Sequence, residues 1–395
     1  MTDMERILLK NIFNGRRAVN VLVEGKRFAD VDAPESVADA RIVDCSGKAL
    51  LPALYNTHTH AAMMPMRGGG EGLPLQKWLT DYVWPFEDRM TDNDILEASR
   101  LAAREMTESG SVFFNDMYFN IEQTIRAVEE SGMRAAIGLT FLDGHSKCQT
   151  EEKLSMIANW QDPTGGRIQL TVDPHAIYTA GPDVYRRCAE ISRERGLVMH
   201  THVAETRKEV DDCLKDHGTT PVRYLDSLGV LGPNVVAAHC VYVDEEEWDI
   251  LARRGVVVCH CPCSNMKLGS GRFPYELAIR SGAKITLGTD GASSNNNLDL
   301  REEMKFASLL AKVAGDSELL PSSMVFDWAS RAGAEAFGID GGEIAAGKVA
   351  DAVVVDMSNV RMQPCNDLIS NWVHSADSSC ISAVMCDGKF VFERI

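Results

Sequence analysis

The chain has 395 residues, 45% of them hydrophobic and 25% charged, a composition that fits one large α/β domain with a smaller companion. Its 57 acidic and 40 basic side chains leave a formal net charge of -17, which argues against a phosphate-backbone surface and so against a nucleic-acid partner. No basic leader precedes an apolar core at the start, and no apolar run approaches the roughly 18 residues of a membrane span. The expectation is therefore a cytoplasmic protein with no membrane partner, its 11 cysteines held as reduced thiols.

Residues 1–50 contain short alternating segments, "RAVNVLVEGKRF" and "ARIVDCSGKAL", which predict small antiparallel strands. "ALLPALYN" then predicts a buried strand that runs into "NTHTH". Residues i and i+2 of a strand point to the same side, so His58 and His60 project together from its end. The long loop that follows this strand carries Met63–Met66, Trp78 and Trp84, which suit a pocket lining or core or lid packing equally well. "TDNDILEASRLAAREMTESG" predicts a helix, opened by a capping-box-like Thr91 and Asp94 and closed at Gly110.

From there one phrase repeats: a helix, a glycine, a β-rich apolar run, a polar stop. The runs are "ESGSVFFND", "ESGMRAAIGLTFLD", "TGGRIQLTVDPH", "ERGLVMHTHVAE", "LGPNVVAAHC", "RRGVVVCHCP" and "RSGAKITLGTD". Together with the first strand they give eight candidates between about residue 49 and residue 290, apolar enough to be parallel and buried on both faces. Eight β/α units predict a TIM-type (β/α)8 barrel, with its active site at the C-terminal ends of the strands. An open doubly wound sheet is the alternative, but no Gly-rich phosphate loop follows the first strand. The predicted strand ends are His58 and His60, Asp116, Asp143, His175, His202 with Glu205, His239, His260, and Asp290. Apolar strands have no packing reason to finish in so many histidines and acids. Residues 343–395 alternate again, in "EIAAGKVADAVVVD" and "ISAVMCDGKFVFE". Residues 1–50 and 343–395 are therefore expected to pair into one small β-sandwich beside a barrel over 51–342.

A His-x-His pair on one strand end is a plausible chelate, and a catalytic zinc site combines His and carboxylate ligands with one open position. His202 and Asp290 supply the remaining two ligands. His200 faces the same side as His202 and competes for its role, but His202 stands nearer the strand end and three residues before Glu205. A nitrogen-rich site with one carboxylate favours zinc, with iron and manganese as alternatives. Glu205 is placed to shuttle protons, His239 to orient water or stabilise developing charge, and Asp290 to share the base role while touching the metal. "CHCPC" at Cys259–Cys263 has no second cysteine pair and reads as strand thiols.

The motifs "PALYNTHTHAAM", "WPFEDRMT", "DPHAIYT", "THVAET", "AAHCV", "HCPCSNMKLGSG", "TLGTDGASSNNN" and "GEIAAGKVADAVVVD" cover nearly the whole chain. In that order they resemble the amidohydrolase superfamily. Within it the chain is similar to the 5'-methylthioadenosine/S-adenosylhomocysteine deaminases and their triazine hydrolase and guanine deaminase relatives. The resemblance implies one divalent metal, zinc first, on His58, His60, His202 and Asp290. It implies Glu205 as the proton shuttle at the substrate, His239 as the partner of the attacking water, His175 against the purine, and Glu87 at the ribose hydroxyls. Dinuclear relatives carry a carboxylated lysine at the end of the fourth strand, where His175 stands here, so one metal is expected.

The implied reaction is hydrolytic removal of the 6-amino group of an adenosine-type nucleoside. Candidate substrates are 5'-methylthioadenosine, 5'-deoxyadenosine, adenosine and S-adenosylhomocysteine. The alternative is a deaminase or chlorohydrolase acting on guanine, a pterin or a triazine. A homo-oligomer, dimer or tetramer, is expected. One position departs from the pattern: Leu139 stands where an arginine for the S-adenosylhomocysteine carboxylate is expected. His145 and Lys147, in the loop that follows, are the candidate substitutes.

Overall fold

The β-rich segments form two sheets of eight strands each in a computed structural model that describes residues 5–314 and 316–394. The first five strands are β1 (Arg6–Phe13), β2 (Ala18–Glu24), β3 (Arg27–Asp30), β4 (Arg41–Asp44) and β5 (Lys48–Pro52). The barrel follows, with β6 (Leu54–Thr59), β7 (Ser111–Tyr118), β8 (Arg134–Phe141), β9 (Ile168–Pro174), β10 (Val198–Val203), β11 (Val235–His239), β12 (Val257–His260) and β13 (Lys284–Leu287). The last three are β14 (Ala352–Asp356), β15 (Ile381–Cys386) and β16 (Lys389–Glu393).

β6 to β13 lie side by side in chain order, every ladder parallel. Side chains and one backbone bond draw β13 back to β6. The N–H of Asp290 donates to the His58 carbonyl at 3.0 Å, and Thr57 Oγ1 donates to the Leu287 carbonyl at 3.0 Å. Asn56 binds both the N–H and the hydroxyl of Thr289, at 3.0 and 2.7 Å. Every residue of β6, β7 and β8 is buried, as strands covered on both faces must be. The glycines after the helices cap them in the left-handed conformation, for example Gly196 at φ 65° and Gly255 at φ 72°.

The chain ends meet where β14 runs antiparallel to β5, Asp356 opposite Lys48 and Ala352 opposite Pro52. The outer sheet is mixed rather than wholly antiparallel, because β1 pairs with both β4 and β5 in parallel. The β2–β3 hairpin lies between β1 and β4 in sequence, and the chain returns from it in the direction of β1. "ALLPALYN" also proves to be two strands. Lys48–Pro52 belongs to the outer sheet and Leu54–Thr59 to the barrel, the break falling just after Pro52, which has no N–H to extend a ladder.

The predicted helix after the first strand spans Asp92–Glu108, with Thr91 and Asp94 forming a full capping box. Leu75–Glu87, expected as loop, is a helical segment whose middle, Trp78–Val83, is a π-helix. It lies over the C-terminal ends of the barrel strands.

Candidate active site

The His-x-His geometry does what its spacing requires: His58 and His60 leave the end of β6 on one side, both buried. Asp290, just beyond β13, brings Oδ1 to 3.5 Å from His58 Nε2 and 3.3 Å from His60 Nε2. His202, near the end of β10, places Nε2 at 3.4 Å from His60 Nε2. Among the described residues the ligand atoms of His58, His60 and Asp290 lie within 4.8 Å of one another, as do those of His58, His202 and His239.

The outer nitrogens of the three rings are occupied. His60 Nδ1 donates to the Met117 carbonyl at 2.7 Å, and His202 Nδ1 to the His175 carbonyl at 2.8 Å. His58 Nδ1 meets His200 Nε2 at 3.0 Å. All three therefore turn Nε2 inward, the arrangement metal-binding imidazoles use. His58 Nε2 is fully buried and makes no hydrogen bond. An unpartnered buried lone pair facing a carboxylate fits a divalent cation.

The charge states agree with that fit. Burial holds His58 and His202 well below the usual imidazole range, so both rings are neutral. Burial works against the Asp290 carboxylate, but His58, His60 and His239 around it hold it well below the carboxylate range. Asp290 is further fixed by Ser264 Oγ, which donates to Oδ2 at 2.6 Å, and by the Gly291 N–H at 2.7 Å from Oδ1.

Glu205 and His239 stand beside this centre. Burial raises the Glu205 carboxyl, and Ser270 Oγ donates to its Oε1 at 3.1 Å. His239 Nε2 is 3.9 Å from Glu205 Oε2, while its Nδ1 pairs with Asn265 Oδ1 at 2.9 Å. Burial would lower His239, but Glu205 and Asp290 raise it. Both groups are positioned by strained backbone: Ala204 has φ 50° and His239 φ 71°. Glu209, in the helix that follows, accepts the N–H groups of Ala204 and Glu205 on its two oxygens, at 2.8 and 2.9 Å.

A cavity opens above these groups, lined by His60, His202, Glu205, His239 and Asp290. Met63, Trp78, Leu79, Val83 and Trp84 give it apolar walls. His175 lines it, with Nδ1 paired to Thr179 Oγ1 at 2.8 Å, and burial takes this imidazole down to about 3. Glu87 lies in the same wall, half-buried, and burial pushes it up to about 6. An adjoining cleft shares Tyr118, Phe119 and Thr140 with the cavity and contains Leu139, His145 and Lys153.

Several expectations are placed differently. Asp143 lies beyond the end of β8, exposed, and accepts the Gly181 N–H at 2.8 Å. Asp116 lies inside β7 and takes the Ala61 N–H at 2.6 Å, which shapes the turn after His60. His260 stacks on Phe273 at 4.0 Å and binds the Tyr275 hydroxyl at 2.8 Å, outside the cavity lining. Cys259, Cys261 and Cys263 are buried free thiols. The Lys147 side chain lies outside the described residues. Lys153 carries no motif signal in the sequence, yet its Nζ meets His145 Nδ1 at 3.0 Å and the Thr140 carbonyl at 2.5 Å. Asn265 on His239, Ser270 on Glu205 and Tyr178 in the cavity wall also belong to the site, within "HCPCSNMKLGSG" and "DPHAIYT". Glu209 had a signal in its Thr206-x-x-Glu209 capping-box spacing.

The model of the amidohydrolase family matches residues 49–391. A 5'-deoxyadenosine deaminase from Methanothermobacter thermautotrophicus is 43% identical over 383 residues, which cover 95% of this chain and 90% of that one. A 5-methylthioadenosine/S-adenosylhomocysteine deaminase of Archaeoglobus fulgidus is 43% identical over 377 residues, 95% of this chain and 89% of its own. Among solved structures, a zinc-bound adenosine deaminase from Xanthomonas campestris superposes with a TM-score of 0.92 at 30% identity, covering 98% of this chain and 92% of that one. With its barrel, its inward Nε2 atoms and these matches over nearly its full length, the chain belongs to the amidohydrolase family.

Proposed function

We propose that this chain is a metal-dependent hydrolase that removes the 6-amino group of adenosine-type nucleosides, giving the inosine analogue and ammonia. The observation that carries it is the site's layout. A His58, His60, His202 and Asp290 centre lies beside Glu205 and His239 at the floor, and Glu87 lies in the wall of an apolar cavity. The names of the relatives support the same substrate class. The metal is zinc, with Fe2+ and Mn2+ as alternatives for this donor set. When bound, it supplies Lewis-acid activation of water.

The chain's own residues do the rest. Glu205, its carboxyl raised by burial, gives a proton to purine N1 and so makes C6 electron-poor. Water adds its oxygen to C6. His239 orients that water, and Glu205, with Asp290 beside it, accepts its proton. Glu205 Oε then passes this proton to the amino nitrogen, the C6–N bond breaks, ammonia leaves, and the proton left on the new oxygen returns to Glu205, giving the neutral 6-oxo product. His175, held neutral by burial, faces the ring, and Glu87 accepts the ribose hydroxyls. A flat triazine or guanine has no ribose diol for Glu87, so the chlorohydrolase and base-deaminase alternatives leave a half-buried carboxylate idle.

The 5'-group falls toward the cleft of Leu139, His145 and Lys153. Leu139 is buried and apolar, His145 is held below its ordinary range by burial, and Lys153 already donates within the protein. Among the described residues lining that cleft there is no arginine to pair in a bidentate way with an amino-acid carboxylate. The expected order of kcat/KM is 5'-methylthioadenosine or 5'-deoxyadenosine above S-adenosylhomocysteine, read by ammonia release in one buffer. Absence of ammonia from every adenosine analogue would reject the activity. A preference for S-adenosylhomocysteine that disappears in Lys153→Met would reject only the assignment of the 5'-group.

A further inference from the structure

Two fully buried polar side chains below the centre have no part in the reaction just described: His200 in β10 and Asp173 in β9. His200 Nε2 stands 3.0 Å from His58 Nδ1, and its Nδ1 stands 3.5 Å from Asp173 Oδ2. Among the described residues His200 Nδ1 and both Asp173 oxygens lack a hydrogen bond of good geometry, and the Thr171 hydroxyl is the other polar group beside Asp173. The space for Asp173 exists because β8 has Gly138 at that point, where a Cβ would come within 1.8 Å of Asp173 Oδ2.

A neutral imidazole carries one N–H and one lone pair. For His58 Nε2 to serve as a ligand, its proton must sit on Nδ1 and be donated to His200 Nε2. His200 must then carry its own proton on Nδ1, where the nearest acceptor is Asp173. We propose that Asp173 and His200 are positioning residues that hold His58 in its ligating tautomer and so set the metal affinity of the centre; this rests on the metal centre of the proposed function. The reverse direction, with His200 donating to His58, puts the proton on His58 Nε2 and removes that ligand. His60 and His202 face no such choice, because backbone carbonyls accept from them and cannot donate. His58 is the one imidazole of the three whose state depends on side chains.

The test is zinc affinity, measured by competition with a chromophoric chelator on protein first stripped of metal. His200→Leu keeps the bulk and removes the acceptor. His200→Gln sets an amide oxygen near the position of Nε2, and Asp173→Asn puts an NH2 group, which cannot accept, in place of one carboxyl oxygen at the far end with little change of shape. His200→Leu and Asp173→Asn are expected to weaken zinc by about 10–100-fold, with His200→Gln recovering most of the loss. The melting temperature of the metal-free protein is expected to show no matching order. Zinc bound by His200→Leu or Asp173→Asn as tightly as by the wild type overturns the relay. So does a Gln variant as weak as the Leu one, or an affinity loss that merely follows metal-free stability. A wild type that binds no metal overturns the centre itself, a separate outcome read before any variant.

Discussion

Glu205 is buried, bonded to Ser270 and close to His239, so its carboxyl is raised yet still able to give up its proton. Glu205→Gln preserves size and hydrogen bonding but cannot carry a proton. Loss of a general acid–base group typically costs ~10²–10⁴ in rate, and a fall of that order in kcat with unchanged metal content is expected, from ammonia release and metal analysis. His202→Ala is expected to lose metal, because it removes one of the inward Nε2 atoms. Glu87 makes a pH prediction. Its carboxyl is pushed up to about 6, and only the ionised form accepts two ribose hydroxyls. KM for ribosides is therefore expected to rise as pH falls through about 6, and a Glu87→Gln enzyme is expected to show a high KM without that step. These residues were legible in the sequence because each stands at a strand end or inside a recognisable motif. Glu209 is not legible as part of the site, since a capping-box spacing predicts a bond to the cap residue and not to the backbone of Ala204 and Glu205.

Among the elements, the seam between β6 and β13 carries the most consequence for the site, since it joins His58 to Asp290. Gly288 lies in that seam. A Cβ there would sit 2.6 Å from Cys259 Sγ, 2.8 Å from His58 Cβ and 2.9 Å from His58 N. Overpacking of this kind costs about 1–3 kcal/mol. Gly288→Ala is expected to lower the unfolding midpoint and to reduce bound metal together, since the clash pushes on a proposed ligand. Retention of full metal content in Gly288→Ala would show that the seam yields without moving His58. The segment Leu75–Glu87 makes the opposite point about legibility. Its central π-helical turn departs from the 3.6-residue period on which helix recognition depends, so it reads as loop although it forms a wall of the cavity.

At the scale of the whole molecule, the outer sheet is fastened to the N-terminal end of the barrel by a buried charged cluster. Arg134, the first residue of β8, binds Asp351 at 3.1 Å and also Asp387. The Tyr55 hydroxyl donates to Asp351 at 2.8 Å, and Lys26 reaches Asp387 at 2.8 Å. Removing one partner of a buried pair typically costs about 3–5 kcal/mol, because the other charge is left uncompensated. Arg134→Met is expected to lose stability of that order in denaturant unfolding. Its kcat is expected to stay close to the wild type, because active sites of this barrel type lie at the opposite end of the strands. A large fall in kcat without loss of stability would mean that the cluster communicates with the site.

The repeated phrase of helix, glycine, apolar run and polar stop is a pattern of neighbouring residues, and so the barrel and most of its polar strand ends could be read from the chain alone. The same holds for His58 and His60, whose shared direction follows from a two-residue spacing. Contacts across long stretches of chain settled the rest. His58 meets His200 across 142 positions through its Nδ1, whereas His202 turns its Nε2 toward His60 Nε2. Asp116, Asp143 and His260 carry the same local signature as the site residues, but one is inside its strand, one is past the end of its strand, and one is locked to Tyr275. Lys153 comes to the cleft only because its helix folds back over β8. Tyr55 finds Asp351 at a separation of 296 residues, and with it the outer sheet is joined to the barrel. A strand's own period determines which way a side chain points; what it meets there depends on how the other strands and helices pack around it.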